Sequence, residues 1–166
     1  MNSVSIGLML GARCVLVLLF LPFSALDKVI NFRQAVAQAS AATPASWLAT
    51  TFIIAGMSVE VVMSLGIVTG IADRAAAFVM AGYCIVTALL WKQFWKIPDF
   101  RLKGASHGRD TFWDFLKNLA LAGGFLMLTF GPNASGVKTF IEHPLSSTQP
   151  YTISRTAESR PARILQ

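Results

Sequence analysis

Long apolar runs alternate with short polar segments along this chain. Four of the runs approach the roughly 17 to 25 residues that a helix needs to cross a hydrocarbon core of about 30 Å. They extend over residues 6–26, 47–72, 75–91 and 112–130. Arg13 interrupts the first run and Glu60 the second, and the third is short but nearly uniform. The fourth carries Asp114, Lys117 and Asn118 in its first two turns. The pattern predicts an all-α protein, an integral membrane four-helix bundle over residues 1–131. Residues 132–166 hold four prolines and no apolar run, so they are expected to form an extended or disordered tail. No internal repeat and no broken span is visible in the pattern.

Between the first two runs, Asp27 is a plausible helix cap. Val29, Ile30, Val36 and Ala37 follow at helical spacing until Pro44 stops the pattern, which predicts a short helix lying in the membrane interface. Phe23 is too large for the cleavage site of a signal peptide, and no basic residue precedes Arg13, so the first run is read as a retained span. Gly66 and Gly70, Gly7 and Gly11, and the Gly123–Gly124 pair are expected to be packing surfaces within the bundle.

Composition sharpens this picture. Only 13% of residues are charged and 54% are hydrophobic, about half the charge of a soluble domain. A secreted module, a disordered chain and a cytosolic enzyme are thereby disfavoured. The net charge of +6 suits an anionic lipid surface, and no nucleic-acid motif is present. Cys14 and Cys84 lie inside apolar runs without a CxxC spacing, and His107 stands alone in a loop. Neither a metal nor a haem is expected.

With an even number of crossings, both termini share one side. The other side holds Lys28, Arg33, Lys92, Lys96, Arg101, Lys103 and Arg109, against Arg74 and Lys138 near the spans on the terminal side. Positive charge is retained in the cytoplasm, which places both termini outside, in the periplasmic or extracellular space. Trp47, Trp91, Trp95 and Trp113 all fall at the cytoplasmic ends of their spans, where an amphipathic ring sits at headgroup depth. The second loop interleaves Phe94, Trp95 and Phe100 with basic residues. It is read either as an interfacial belt with snorkelling lysines or as a docking surface for an anionic substrate or a soluble partner, in which Lys96, Arg101 and Lys103 make the contact.

Ionisable groups at bilayer depth cost about 2.5–3.5 kcal/mol each even on the lenient insertion scale. Counting about 1.5 Å per residue from the terminal side, Arg13 lies about 10 Å deep and Glu60 about 13 Å deep. An interhelical Arg13–Glu60 ion pair is therefore expected. Tyr83 and Cys84 reach about 12–13 Å and Asn118 about 18 Å by the same count, so Arg13, Glu60, Tyr83 and Asn118 form a candidate cluster. Such a cluster can bind a quinone carbonyl while helix faces cover the ring. The alternative is interhelical glue worth about 1 kcal/mol per contact.

These residues also carry a resemblance. Arg13 followed by Leu26-Asp27-Lys28, then Glu60, Gly70 and Arg74 with Ala75-Ala76-Ala77, then the segment from Lys117-Asn118 to Gly123-Gly124 and Gly131-Pro132, are similar in order and spacing to the DoxX family of small bacterial four-helix membrane proteins. The likeness runs from about Gly11 to Phe140. Ala25 stands where that family commonly has Gly, and Met63-Ser64 replace a usual Gly-Gly. The resemblance implies that Arg13, Lys28, Glu60, Arg74 and Asn118 are functional positions, of which Lys28 and Arg74 are read, with Lys96, Arg101 and Lys103, as contacts for a partner. Relatives include membrane subunits of a thiosulfate:quinone oxidoreductase, and others couple soluble redox or thiol-handling partners to the membrane. The implied role is a small subunit or accessory of a quinone-linked oxidoreductase in the bacterial inner membrane, bound to a second subunit or a soluble redox enzyme. The chain has no nucleophile with a base partner, no Gly-rich cofactor loop and no metal set of its own. The alternatives are a membrane anchor for a soluble enzyme and a small-solute or proton transporter in which Glu60 carries the exchanged charge.

Overall fold

The computed structural model describes residues 3–40, 45–131, 133, 135–147 and 151. Pro44 and the tail residues 148–150 and 152–166 lie outside the described residues, so the expectations placed on them have no structural counterpart. The described residues form helices and no strand. In chain order these are α1 (Ser3–Val17), a π-helical segment (Leu19–Ser24), α2 (Ala25–Ile30), α3 (Phe32–Ser40), α4 (Ser46–Thr69), α5 (Asp73–Trp91), a 3-10 turn (Phe94–Lys96), α6 (His107–Phe130) and α7 (Gly136–Glu142).

Among the described residues, three helical stretches are long and apolar enough to cross a membrane: Ser3–Ile30, Ser46–Thr69 and Asp73–Lys96. At 24 residues, α6 has the length. Its first three turns, however, carry Arg109, Asp110, Asp114 and Lys117. The stretches are apolar on their outer faces too, where Leu8, Val15, Ile54, Leu65, Phe78 and Val86 are exposed. An outward-facing apolar surface of this kind is covered in lipid and costly in water.

The first stretch departs from the expected unbroken span. Pro22 has no N–H to donate and its ring crowds the preceding turn. Leu21 accordingly takes an extended conformation (φ −121°, ψ 111°) and the Leu21–Pro22 peptide is cis. Helix resumes at once, and Ser24 and Lys28 come to share one face of the next turns, four residues apart. Asp27 does not act as a cap. It lies inside α2, where its carboxylate accepts from the Asn31 side chain at 2.7 Å. The single interfacial helix expected there is two helices, α2 and α3, divided at Asn31 (φ −106°, ψ 34°).

Gly70 ends α4 in the left-handed region (φ 77°), a conformation that favours glycine. The turn brings α5 back antiparallel within three residues. Helix α5 is central: its buried face of Ala76, Ala77, Met80, Ala81, Cys84 and Ala88 packs between α4 and α6. Small side chains let the neighbouring backbones approach. A Cβ on Gly66 would stand 3.2 Å from that of Ala76, whereas Gly7, Gly11 and Gly123 meet nothing within 4 Å. A Cβ on Gly124 would stand 3.0 Å from the Leu16 Cδ1, so the expected packing role holds at Gly66 and Gly124 and fails at the other three glycines. Phe20 closes the core against Phe125 and Tyr83, with ring centroids 5.8 and 6.3 Å apart.

Part of the segment expected to be an extended tail is helical. α7 folds back on α6, with Phe140 against Phe130 and Phe78 at 5.4 and 5.5 Å. A Cβ on Gly136 would collide with the Phe130 carbonyl oxygen, so glycine there permits this close return.

Candidate functional site

Two buried ion centres lie along the interior, and neither is the pair expected from depth. In the first, Arg13 donates to Asp73 at 2.5 Å and to the Ile67 carbonyl at 2.8 Å. Their side chains are 4% and 0% exposed. Asp73 also accepts from the Arg74 amide at 3.0 Å, the Ser147 amide at 2.7 Å and the Ser147 hydroxyl. Tyr151 donates to the Val68 carbonyl, and its ring lies 5.4 Å from the Arg13 guanidinium. The C-terminal segment thus lies across the pair and closes it.

In the second centre, Glu60 is 2% exposed and holds Lys28 through both carboxylate oxygens, at 2.6 and 2.9 Å. Ser24 and Tyr83 donate to Oε1 at 3.2 and 2.7 Å, and Lys28 also donates to Ser24 at 2.5 Å. Gly56, one turn before Glu60 on the same helix face, makes room for the phenol. A Cβ there would stand 3.1 Å from the Tyr83 oxygen.

The Arg13–Glu60 pair is therefore replaced by two pairs with different partners. The guanidinium extends toward the α4–α5 hairpin, seven residues or about 10 Å along α4 from Glu60. Depth counting treats the first span as straight and Lys28 as a loop residue. The break at Leu21 instead turns Lys28 inward, to Glu60, while Asp73 at the first position of α5 captures Arg13.

Of the predicted cluster, Glu60 and Tyr83 come together, Arg13 does not join them, and Asn118 occupies the wall of the same cavity. The Asn118 amide donates to the Asp114 carbonyl at 3.1 Å. Lys28, read as a partner-facing cation, is part of the Glu60 centre, with its side chain 17% exposed. Arg74, read likewise, donates to the Thr139 and His143 carbonyls at 3.3 and 3.4 Å and so binds the C-terminal segment. Lys96, Arg101 and Lys103 are exposed. Cys84 is buried and Cys14 exposed, both free. Sequence reasoning missed Asp73, Ser24, Ser147 and Tyr151. The available signals were an acid directly after a glycine turn and a serine four residues before a lysine.

The Glu60 centre is the buried end of a cavity of about 590 Å³ between α2–α3, α4, α5 and α6. Phe20, Phe52, Ile53 and Leu121 supply apolar wall, and Asn31, Gln34, Gln38 and Asn118 supply amides. At the open end Asp114 lies between Lys92 and Lys117, at 3.3 and 3.2 Å, and the Lys117 side chain is 72% exposed. That volume lies within the range of small-molecule sites, about 300–1,000 Å³. Among the described residues no group of His, Cys, Asp or Glu is arranged to hold a metal ion.

The residues lining both centres fall largely within one match to known proteins. The family model DoxX matches residues 8–93, more than half of the chain's 166. The chain belongs to the DoxX family. DoxX proteins are generally membrane proteins, in keeping with the three apolar stretches. The match includes Arg13, Ser24, Lys28, Glu60, Asp73 and Tyr83 and ends before α6, so Asn118, Asp114 and Lys117 lie beyond it. No curated protein and no solved structure matches the chain.

Proposed function

We propose that this DoxX protein is a four-helix bundle of the bacterial inner membrane, built from α1–α2, α4, α5 and α6, that binds a quinone in the Glu60 cavity. It serves as a small subunit or accessory of a quinone-linked oxidoreductase. The observation that carries this reading is the buried, multiply bonded Glu60 at the closed end of a cavity whose walls are both apolar and amide-bearing.

Several features support the placement. Asp114, Lys117 and Asn118 of α6 line the cavity, so these groups need not face lipid, while Ala122, Phe125 and Thr129 are buried against the other helices. The cationic ends at Lys92, Lys96, Arg101 and Lys103 support a cytoplasmic position for that side, with the termini outside and α3 in the interface.

Lys28 spends its donors on Ser24 and both Glu60 oxygens, and Tyr83 donates to Glu60. Hydrogen bonds to quinone carbonyls therefore fall to the amides of Gln34, Gln38 and Asn118. Glu60 and Tyr83 keep a hydrogen-bonded pair at the buried end, and Phe20 and Leu121 line the wall beside it. A bound quinone supplies a two-electron, two-proton carrier. Quinone is expected in extracts of the purified protein, with much less in Glu60→Gln. A wild-type preparation that retains none, alone or with any co-purified subunit, would overturn the reading.

One observation favours a transporter instead. The first span is broken directly beside Glu60, and discontinuous helices mark the sites of many carriers. Solute or proton uptake into proteoliposomes that is lost in Glu60→Gln, with no quinone retained, would select that alternative.

A further inference from the structure

The loop between α5 and α6 is a built surface rather than a slack connection. Phe94 lies at the centre of an aromatic cluster, with ring centroids 5.0–5.5 Å from Phe112, Trp95, Phe100 and Phe115. Asp99 accepts from the backbone N–H groups of His107 and Gly108 at 3.0 and 2.9 Å, which caps α6. Gly108 lets the loop lie against that first turn, since a Cβ there would come within 2.7 Å of the Phe100 Cα. Much of what faces outward is apolar or cationic, with Asp110 an exposed acid outside the cap. Trp95, Phe100, Leu102 and Trp113 are exposed apolar groups, and Lys96, Arg101 and Lys103 stand exposed among them.

We infer that this surface binds the headgroups of anionic phospholipid, with the rings at the level of the acyl boundary and Lys96, Arg101 and Lys103 on the phosphates. Charge is complementary: residues 94–113 carry Lys96, Arg101, Lys103 and Arg109 against Asp99 and Asp110, and Asp99 is committed to the α6 cap. Alternation of indole rings with flexible cations is what an interface between water and acyl chains selects. A protein partner fits less well, because the cores of protein interfaces are depleted in lysine. The rings, packed against Phe94, Phe112 and Phe115, lose little freedom on meeting lipid, and the lysine stems reach outward from them.

The inference rests on the membrane character of the chain and not on the quinone reading. The test uses full-length protein in neutral detergent, titrated with mixed micelles containing either phosphatidylglycerol or phosphatidylcholine, with intrinsic tryptophan fluorescence as the readout. Phosphatidylglycerol is expected to shift the spectrum at a concentration at least about threefold below phosphatidylcholine. The K96Q/R101Q/K103Q variant should lose that preference, while K138Q, altered on α7, should keep it. Equal responses to the two lipids, an unchanged preference in the triple variant, or an equal response to inorganic phosphate would each overturn the inference. So would a preference that disappears when a co-purifying protein is removed. Quinone content of the same samples, unchanged by the loop substitutions, separates failure here from failure of the proposed cavity ligand.

Discussion

Arg13–Asp73 and Lys28–Glu60 are built from the same parts: one cation from the first span and one carboxylate from the α4–α5 hairpin. Their surroundings differ. The Arg13 pair is sealed by Ser147 and Tyr151, and its carboxylate is wholly buried. The Glu60 pair opens onto a cavity, and its lysine keeps partial access to solvent. A buried charge in an apolar run therefore does not by itself mark a site. The closed centre ties the first span to the hairpin and to the C-terminal segment, and the open one faces a cavity of ligand size.

The comparison predicts its own hierarchy of effects. Asp73→Ala leaves Arg13 buried without a counter-charge and should cost about 3–5 kcal/mol, the usual penalty for breaking a buried pair. Denaturant unfolding in detergent measures this, and a loss below about 1 kcal/mol would remove the distinction between the two centres. Glu60→Gln should cost less, about 2–3 kcal/mol, because Lys28 can relax toward the cavity and keep hydrogen bonds to Ser24 and the new amide. It should reduce ligand retention more than Asp73→Ala does when both are assayed well below their melting temperatures. The reverse order would exchange the roles assigned to the two centres.

Smaller substitutions refine the contrast. Gly56→Ala presses a methyl group against the Tyr83 hydroxyl and should cost about 1 kcal/mol, the low end of overpacking. Tyr83→Phe in the same background should relieve the crowding, so a double-mutant cycle that shows no coupling would count against the contact. Ser147→Ala removes a hydroxyl donor to Asp73 but leaves the backbone donor in place. Its expected effect is about 0.5–1.5 kcal/mol, read as earlier proteolysis of the C-terminal segment with no change at the cavity.

Much of this was legible in the residues. The apolar runs located the helices, because burying polar backbone in lipid leaves few alternatives to helix. Arg13 and Glu60 stood out because charge in such a run is costly, and Tyr83 was placed beside Glu60 by depth alone. The partners were harder to read. Asp73 falls in the short gap between the second and third runs, and Ser147 lies in a segment expected to be extended. Lys28 drew notice through its position in the DoxX pattern, but its inward direction depends on the break at Leu21.

The sequence by itself determined where the long apolar helices lie, which side chains are too costly to leave unpaired in an apolar setting, and that the protein resembles DoxX. Those properties follow from local hydropathy and from the desolvation energy of single groups. Tertiary structure alone decided which cation meets which carboxylate and which of the two centres is open. Pairing depends on the direction each helix takes after a break or a turn, and one extended residue before Pro22 is enough to turn the following helix, and Lys28 with it, toward Glu60.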